Sequence, residues 1–396
     1  MSASESVLPG HIRLILVPNP SFYLEIPLNV IKRLCLKPRK YLVFLGWCIF
    51  GDEAELRENQ GGQATSLDGD LDDESVYYFV RPAGGGLSHA IDLDVIKQRT
   101  GVRSATTVTR HNFRNALLLR DFCCAWTGTP ESNGEGMHII PYARGSEWLH
   151  LIVQNRPGNA HVANINDIND IRNGVFSAVA INRSFDRRRL AILKTPNTIL
   201  SKTDIPKSPK RPVPAPKDVA FSTKFRYTLQ WLAEPHATEL NMICPHNADA
   251  AFGKNHKKPM PSDLLVHYHY GAAAVERWGH GADALHRPDL PRPPSPLPVP
   301  MGPTKTIHDR TTTIQKRAEA SGAGAAGAGN VAAGEASGSG QIRDSEEKGQ
   351  ARWDADDVML YFWGNSQAAM ERHRKKQEEI AQNMEQWRQG VPSLSI

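Results

Sequence analysis

The sequence predicts an α+β protein, on three observations. Short strand-like runs fill the first hundred residues, helix-period segments alternate with further short strands in the middle, and a Pro-, Gly- and Ala-rich tract precedes one amphipathic stretch near the C-terminus. With 396 residues, the chain is long enough to bury a sizeable core even after that tract is set aside.

Residues 11–17, 41–50 and 76–80 read as strands separated by Pro-, Gly- and acid-rich turns, which makes 1–108 a β-rich N-terminal domain. Between them, Leu28, Ile31 and Cys35 fall at helical spacing behind Pro27, whose missing N–H is harmless in a first turn, so a short helix is expected at 27–36. Residues 53–75 are acidic and Gly-rich and read as a surface loop. A helix is expected over 109–121, where Phe113, Ala116, Leu117 and Arg120 share a face behind a Thr109 or Asn112 cap.

Residues 109–200 form a second unit, with a strand at 190–193, and 201–287 an extension of it. The extension begins with a Lys- and Pro-rich linker at 201–218, readable as a nuclear-import signal or as a plain spacer. Tyr227, Leu229 and Trp231 then alternate with polar residues as a half-buried strand does, and Ser262 stands where a helix reaching about Trp278 would be capped. Residues 288–350 carry too few large apolar side chains to offset the entropy of ordering and are expected to be disordered. Within 351–390, Met359, Phe362, Trp363, Met370, Ile380, Met384 and Trp387 are interleaved with charges, giving an amphipathic helix stopped by Gly390. Its apolar stripe must bury against this body or against a protein partner.

A formal charge of +5 permits a phosphate-bearing partner without requiring one. Five cysteines with no CxxC pair argue against a secreted disulfide framework. The first residues lack a basic, then apolar, leader, and the most apolar run, 41–50, is too short to span a bilayer. The expectation is a soluble intracellular protein, nuclear or cytoplasmic, with no membrane partner.

The chemistry-bearing residues lie in 120–197. Arg120-Asp121 precedes Cys123, Thr127-Gly128 marks a turn, and the run Met137-His138-Ile139-Ile140-Pro141 follows; further on come Arg172-Asn173-Gly174, Asn182 and Phe185-Asp186. Over about eighty residues this order resembles the HNH nuclease core, and it is most similar to the predicted HNH-domain proteins of mushroom-forming fungi. The likeness extends to Phe113-Arg114, to Lys194-Thr195-Pro196-Asn197, to the stretch from Pro245 to Asp249, and to Trp363-Gly364.

The resemblance implies a ββα-metal fold, two short strands and a helix holding one divalent cation. His138 matches the general base, since an imidazole that titrates near neutrality can take a proton from water. Asn173 matches the residue that braces the loop orienting that base, and Asn182 stands where the family usually has a metal-ligating His. An amide oxygen suits magnesium better than zinc or nickel, so magnesium is the expected cofactor, as in the RNA-guided CRISPR nucleases, which also have Asn there.

Met137 occupies the place of the family's second metal ligand, and a thioether does not ligate a hard cation. Asp167, Asp170 and Asp186 are near in sequence and are open to two uses, as a replacement carboxylate or as turn and helix caps. Arg172, Arg183 and Arg187 are the candidates for phosphate contact, with a solvated helix end as the other reading. Cys123 and Cys124 read as buried apolar residues, and Cys244, His246, His267 and His269 as a weak competing metal set, because His267 and His269 diverge on a helix.

The functional expectation is a metal-dependent HNH endonuclease that hydrolyses phosphodiester bonds in DNA or RNA. The alternative is a catalytically impaired HNH-fold module that binds nucleic acid or protein.

Overall fold

In the computed structural model the described residues are 6–82, 87–93, 107–158, 160, 162–207, 214–233, 246–254 and 257–286. The expected linker at 288–350, the helix at 351–390 and Cys244 lie outside them. The observed class is mixed α/β, with six α-helices and several small sheets among the described residues.

The N-terminal sheet is built from β1 (His11–Leu16), β2 (Tyr23–Pro27), β3 (Glu55–Arg57), β4 (Val76–Val80) and β12 (Gly279–His280), in the order β12-β2-β1-β4-β3. Alternation sets its register: Leu14 faces Leu24 across the antiparallel β1–β2 ladder and Tyr77 across the parallel β1–β4 ladder. Ile12, Leu14, Leu16, Leu24, Ile26, Tyr77 and Phe79 all point into the core.

The helix expected at 27–36 is α1 (Leu28–Leu34). The strand expected at 41–50 is instead part of a helix, α2 (Pro38–Phe50). Pro38 sits in its first turn, and Gly51 ends it in the left-handed region (φ 79°), its N–H returned to Trp47 O. An unbroken apolar run carries no period to separate strand from helix, and this helix is apolar all round because it is buried on nearly every side. Its close neighbours leave no room at two glycines: a Cβ on Gly46 would lie 2.3 Å from Phe79, and one on Gly271 would lie 2.5 Å from Cys48 O. Residues 53–75 are more than loop, since they contain β3 and are held by Arg39, which donates to Asp70 O and Ser66 O.

The remaining elements are α3 (Thr107–Asp121), β5 (Gly134–His138), α4 (Gly145–Asn155), β6 (Gly174–Ala178), α5 (Val179–Asp186), β7 (Leu190–Thr195), β8 (Val219–Phe221), β9 (Arg226–Trp231), β10 (Ala248–Asp249), β11 (Ala251–Gly253) and α6 (Asp263–Trp278). β7, β9 and β10 form one antiparallel sheet and β8–β11 a small ladder. Ser262 caps α6 as its sequence position suggested, its Oγ accepting from Leu265 N. Buried apolar residues from Ile12 to Leu285 make one cluster, so the stretches 1–108, 109–200 and 201–287 share a core. Among the described residues, no helix is long and apolar enough to cross a membrane.

Candidate functional site

β5 pairs antiparallel with β6, His138 opposite Gly174 and Glu135 opposite Ser177, and α5 follows β6 directly. This hairpin and helix are held in place by one buried ion pair. Arg120, wholly buried at the end of α3, donates through Nε and Nη2 to Asp121 and also reaches the carbonyls of Ile171, Gly174 and Pro259. Asp121 in turn accepts from Phe176 N at 2.7 Å. Every polar atom named here has a partner, which is the condition under which a buried pair is tolerated.

The pleat sorts the side chains of β5 onto two faces. Gly136 and His138 lie toward α3: the His138 ring stacks on Phe113 with centroids 4.0 Å apart, and a Cβ on Gly136 would meet Leu117 and Phe113 at 3.2 Å. Gly174 is equally confined, since a Cβ there would lie 2.4 Å from Phe113. Two of the glycines in the motif are therefore needed for close approach of α3. His138 Nε2 stands 3.2 Å from Asn169 Oδ1, and Asn169 Nδ2 donates to Asp167.

Glu135 and Met137 lie on the other face. Met137 is fully buried in the main core. Glu135 accepts a 2.7 Å hydrogen bond from Asn182 Nδ2 on α5. Ser177, across the ladder from Glu135, is 0 % exposed, and its Oγ has no hydrogen-bond partner.

Asn173 is wholly buried and spends its amide on the backbone. Its Oδ1 accepts from Ile140 N at 2.8 Å, and its Nδ2 donates to Ile140 O and Ile168 O. It thus ties the segment after His138 to the turn before β6. Asp167 and Asp170 act as turn acceptors, for Asn169 N and Arg172 N respectively. Burial pushes the Asp170 carboxyl up, but hydrogen bonds and charge from Arg172 outweigh it and hold the group below its usual range. Arg172 is correspondingly committed, to both Asp170 oxygens and to Asn164 Oδ1. Arg183 and Arg187 are exposed on α5.

The structure therefore brings Asn182 to Glu135, and His138 to Asn169, Phe113 and Tyr142, on opposite faces of one strand. Glu135 was not among the residues expected from sequence. Its signal was the pleat: it lies two residues before Met137 and so shares the face on which the missing ligand would sit.

The donor set suits a hard cation. Glu135 and Asn182 offer a carboxylate and an amide oxygen. Among the described residues, no three His, Cys, Asp or Glu side chains gather as a metal-binding group, so water and phosphate would complete the coordination of a magnesium ion here. The weak competing set is dispersed: His246 bonds Trp231 N, His267 lies by Lys194 O, and His269 stacks on Phe185 at 3.7 Å. Cys123 packs with Val219 and Ala251.

No protein-family model, curated protein or solved structure matches this chain.

Proposed function

We propose that the chain is a metal-dependent endonuclease of HNH type, cutting a phosphodiester of DNA or RNA at the β5–β6–α5 unit. The observation that carries this reading is the Glu135–Asn182 oxygen pair between β5 and α5, on the opposite face of β5 from His138. In the family pattern, ligand and base occupy neighbouring strand positions, here 137 and 138, which the pleat sends to opposite faces. Glu135 shares the face of Met137 and meets the helix residue Asn182, so the carboxylate is supplied two positions earlier.

A bound magnesium ion would neutralise charge on the phosphate and on the leaving oxygen. Glu135 and Asn182 would hold it. His138 would take the proton of the attacking water as the new P–O bond forms, and the leaving oxygen would gain a proton from solvent as the old bond breaks; the ring is oriented by Asn169 and Phe113 on the face away from Glu135. Asn173 positions His138 through the backbone and touches no substrate.

A second reading, a non-catalytic HNH-fold module for nucleic-acid or protein binding, is favoured by two features: the pleat sets His138 and the Glu135–Asn182 pair on opposite faces of β5, and one contact closes that pair. The Glu135–Asn182 hydrogen bond satisfies the pair without an ion. Plasmid nicking with magnesium or manganese separates the two. Wild-type protein is expected to nick, with His138→Ala lowering the rate by roughly 10²–10⁴-fold and Glu135→Gln raising the magnesium needed. Nicking that survives His138→Ala sinks the proposed mechanism, and DNA binding without nicking leaves the module.

A further inference from the structure

Beyond the end of α5 the surface carries more cations than carboxylates. Arg183 and Arg187 are exposed on the helix, and Arg188 and Arg189 follow it. Arg277, from the last turn of α6, donates through Nε to Arg188 O at 3.0 Å and through Nη2 to Arg187 O at 2.8 Å. Its guanidinium therefore caps the carbonyl end of α5, where a positive group is favoured. Arg188 adopts φ 52°, an unusual value for a residue with a side chain, and its guanidinium lies 3.5 Å from Glu276.

Arg277 also lines an open cleft of about 810 Å³ together with His11, Glu25, Leu28, Lys32 and Trp278. Its one acid, Glu25, is already engaged, accepting from Arg13 and from Leu8 N. Lys32 and Arg277 are exposed. The cleft thus presents cations beside an apolar wall and joins the arginine-rich end of α5 through a shared residue.

Arg277 joins the two places: it lines the cleft and binds the carbonyls of Arg187 and Arg188, which directly follow α5, the helix that carries Asn182.

Resting on the endonuclease reading above, we propose that this cleft is a distal phosphate-binding subsite. It takes the sugar-phosphate backbone of the same nucleic-acid strand past the C-terminal end of α5, with Lys32 and Arg277 as its phosphate contacts.

The test is binding of a fluorescent DNA duplex of about two helical turns, measured by anisotropy in EDTA across a salt series so that no cutting consumes the probe. The full chain is compared with Lys32→Glu and with Lys224→Glu, an exposed lysine elsewhere that controls for net charge. Lys32→Glu is expected to weaken binding severalfold and to reduce the salt slope by about one, with Lys224→Glu close to wild type. Equal effects of the two variants, or none from Lys32→Glu, overturn the subsite while leaving the nuclease reading intact. A wild-type protein that binds neither this duplex nor an RNA of the same length overturns the subsite together with the reading beneath it.

Discussion

The two faces of the β5–β6 hairpin are built on opposite terms. Toward α3, Phe113 and Leu117 press on Gly136, Gly174 and His138, and the Arg120–Asp121 pair has every named atom satisfied. Toward α5, Glu135 and Asn182 are half-buried and hold each other, while the Ser177 hydroxyl has no partner. One face is filled by packing around the His138 ring; the other carries a carboxylate and an amide that bond each other and a buried hydroxyl. The difference teaches that the pleat of a single strand can separate tight packing from polar contacts.

Breaking the packed face should have the largest effect. Arg120→Ala strands the Asp121 carboxylate and three backbone carbonyls inside the protein, and the expected loss is about 3–5 kcal/mol of unfolding free energy in urea titration. A loss below 1 kcal/mol would mean that the pair is not what fastens α3 to β6.

The polar face rests on α6 through the stacked rings of Phe185 and His269, and acid should loosen it. Burial, then the nearby Arg188 charge, pushes His269 down to about 3, and burial brings His267 down to about 4. Both rings fold in the neutral state, whereas in the unfolded chain they take up protons near pH 6.5. The unfolded chain therefore binds more protons between those values, and stability present above pH 6.5 is lost as pH falls toward 3–4. Each ring should contribute a slope of about 1.4 kcal/mol per pH unit at most. Chemical denaturation from pH 7 to 4.5 should show a shallower fall for His269→Phe than for wild type, and parallel curves would refute the assignment.

Asn182→His is the smallest change and the sharpest probe of the polar face. Imidazole in place of the amide should shift the preferred ion from magnesium toward zinc or nickel, with stability close to wild type. Calorimetric titration of each ion into both proteins checks this, and an unchanged preference order would remove residue 182 from the ion site.

Much of the local structure was legible before any coordinates. The Ser262 cap, the strand through Tyr227, Leu229 and Trp231, and the helix ahead of Cys123 appear where period puts them, but the strand is buried on both faces rather than half-buried, and Thr109 and Asn112 lie inside the helix, which begins at Thr107. Residues 41–50 were misread because a fully apolar run has no polar face to mark its period, and Pro38 and Gly51 were the better guides. Glu135 was passed over because no motif marks it. Arg172 looked available as a cation, yet Asp170, two residues away, already occupies it.

The sequence by itself determined the residue types and the short-range elements: a histidine closing a strand, an Asn-Gly turn, a basic helix end and several small strands. Only the tertiary structure decided which of them meet. The ladder pairing His138 with Gly174 joins segments far apart in the chain, and a slip of one residue would exchange the faces of Glu135 and His138. That register is fixed by Arg120, Asp121 and Phe113 packing from α3, through long-range contacts that no local pattern encodes.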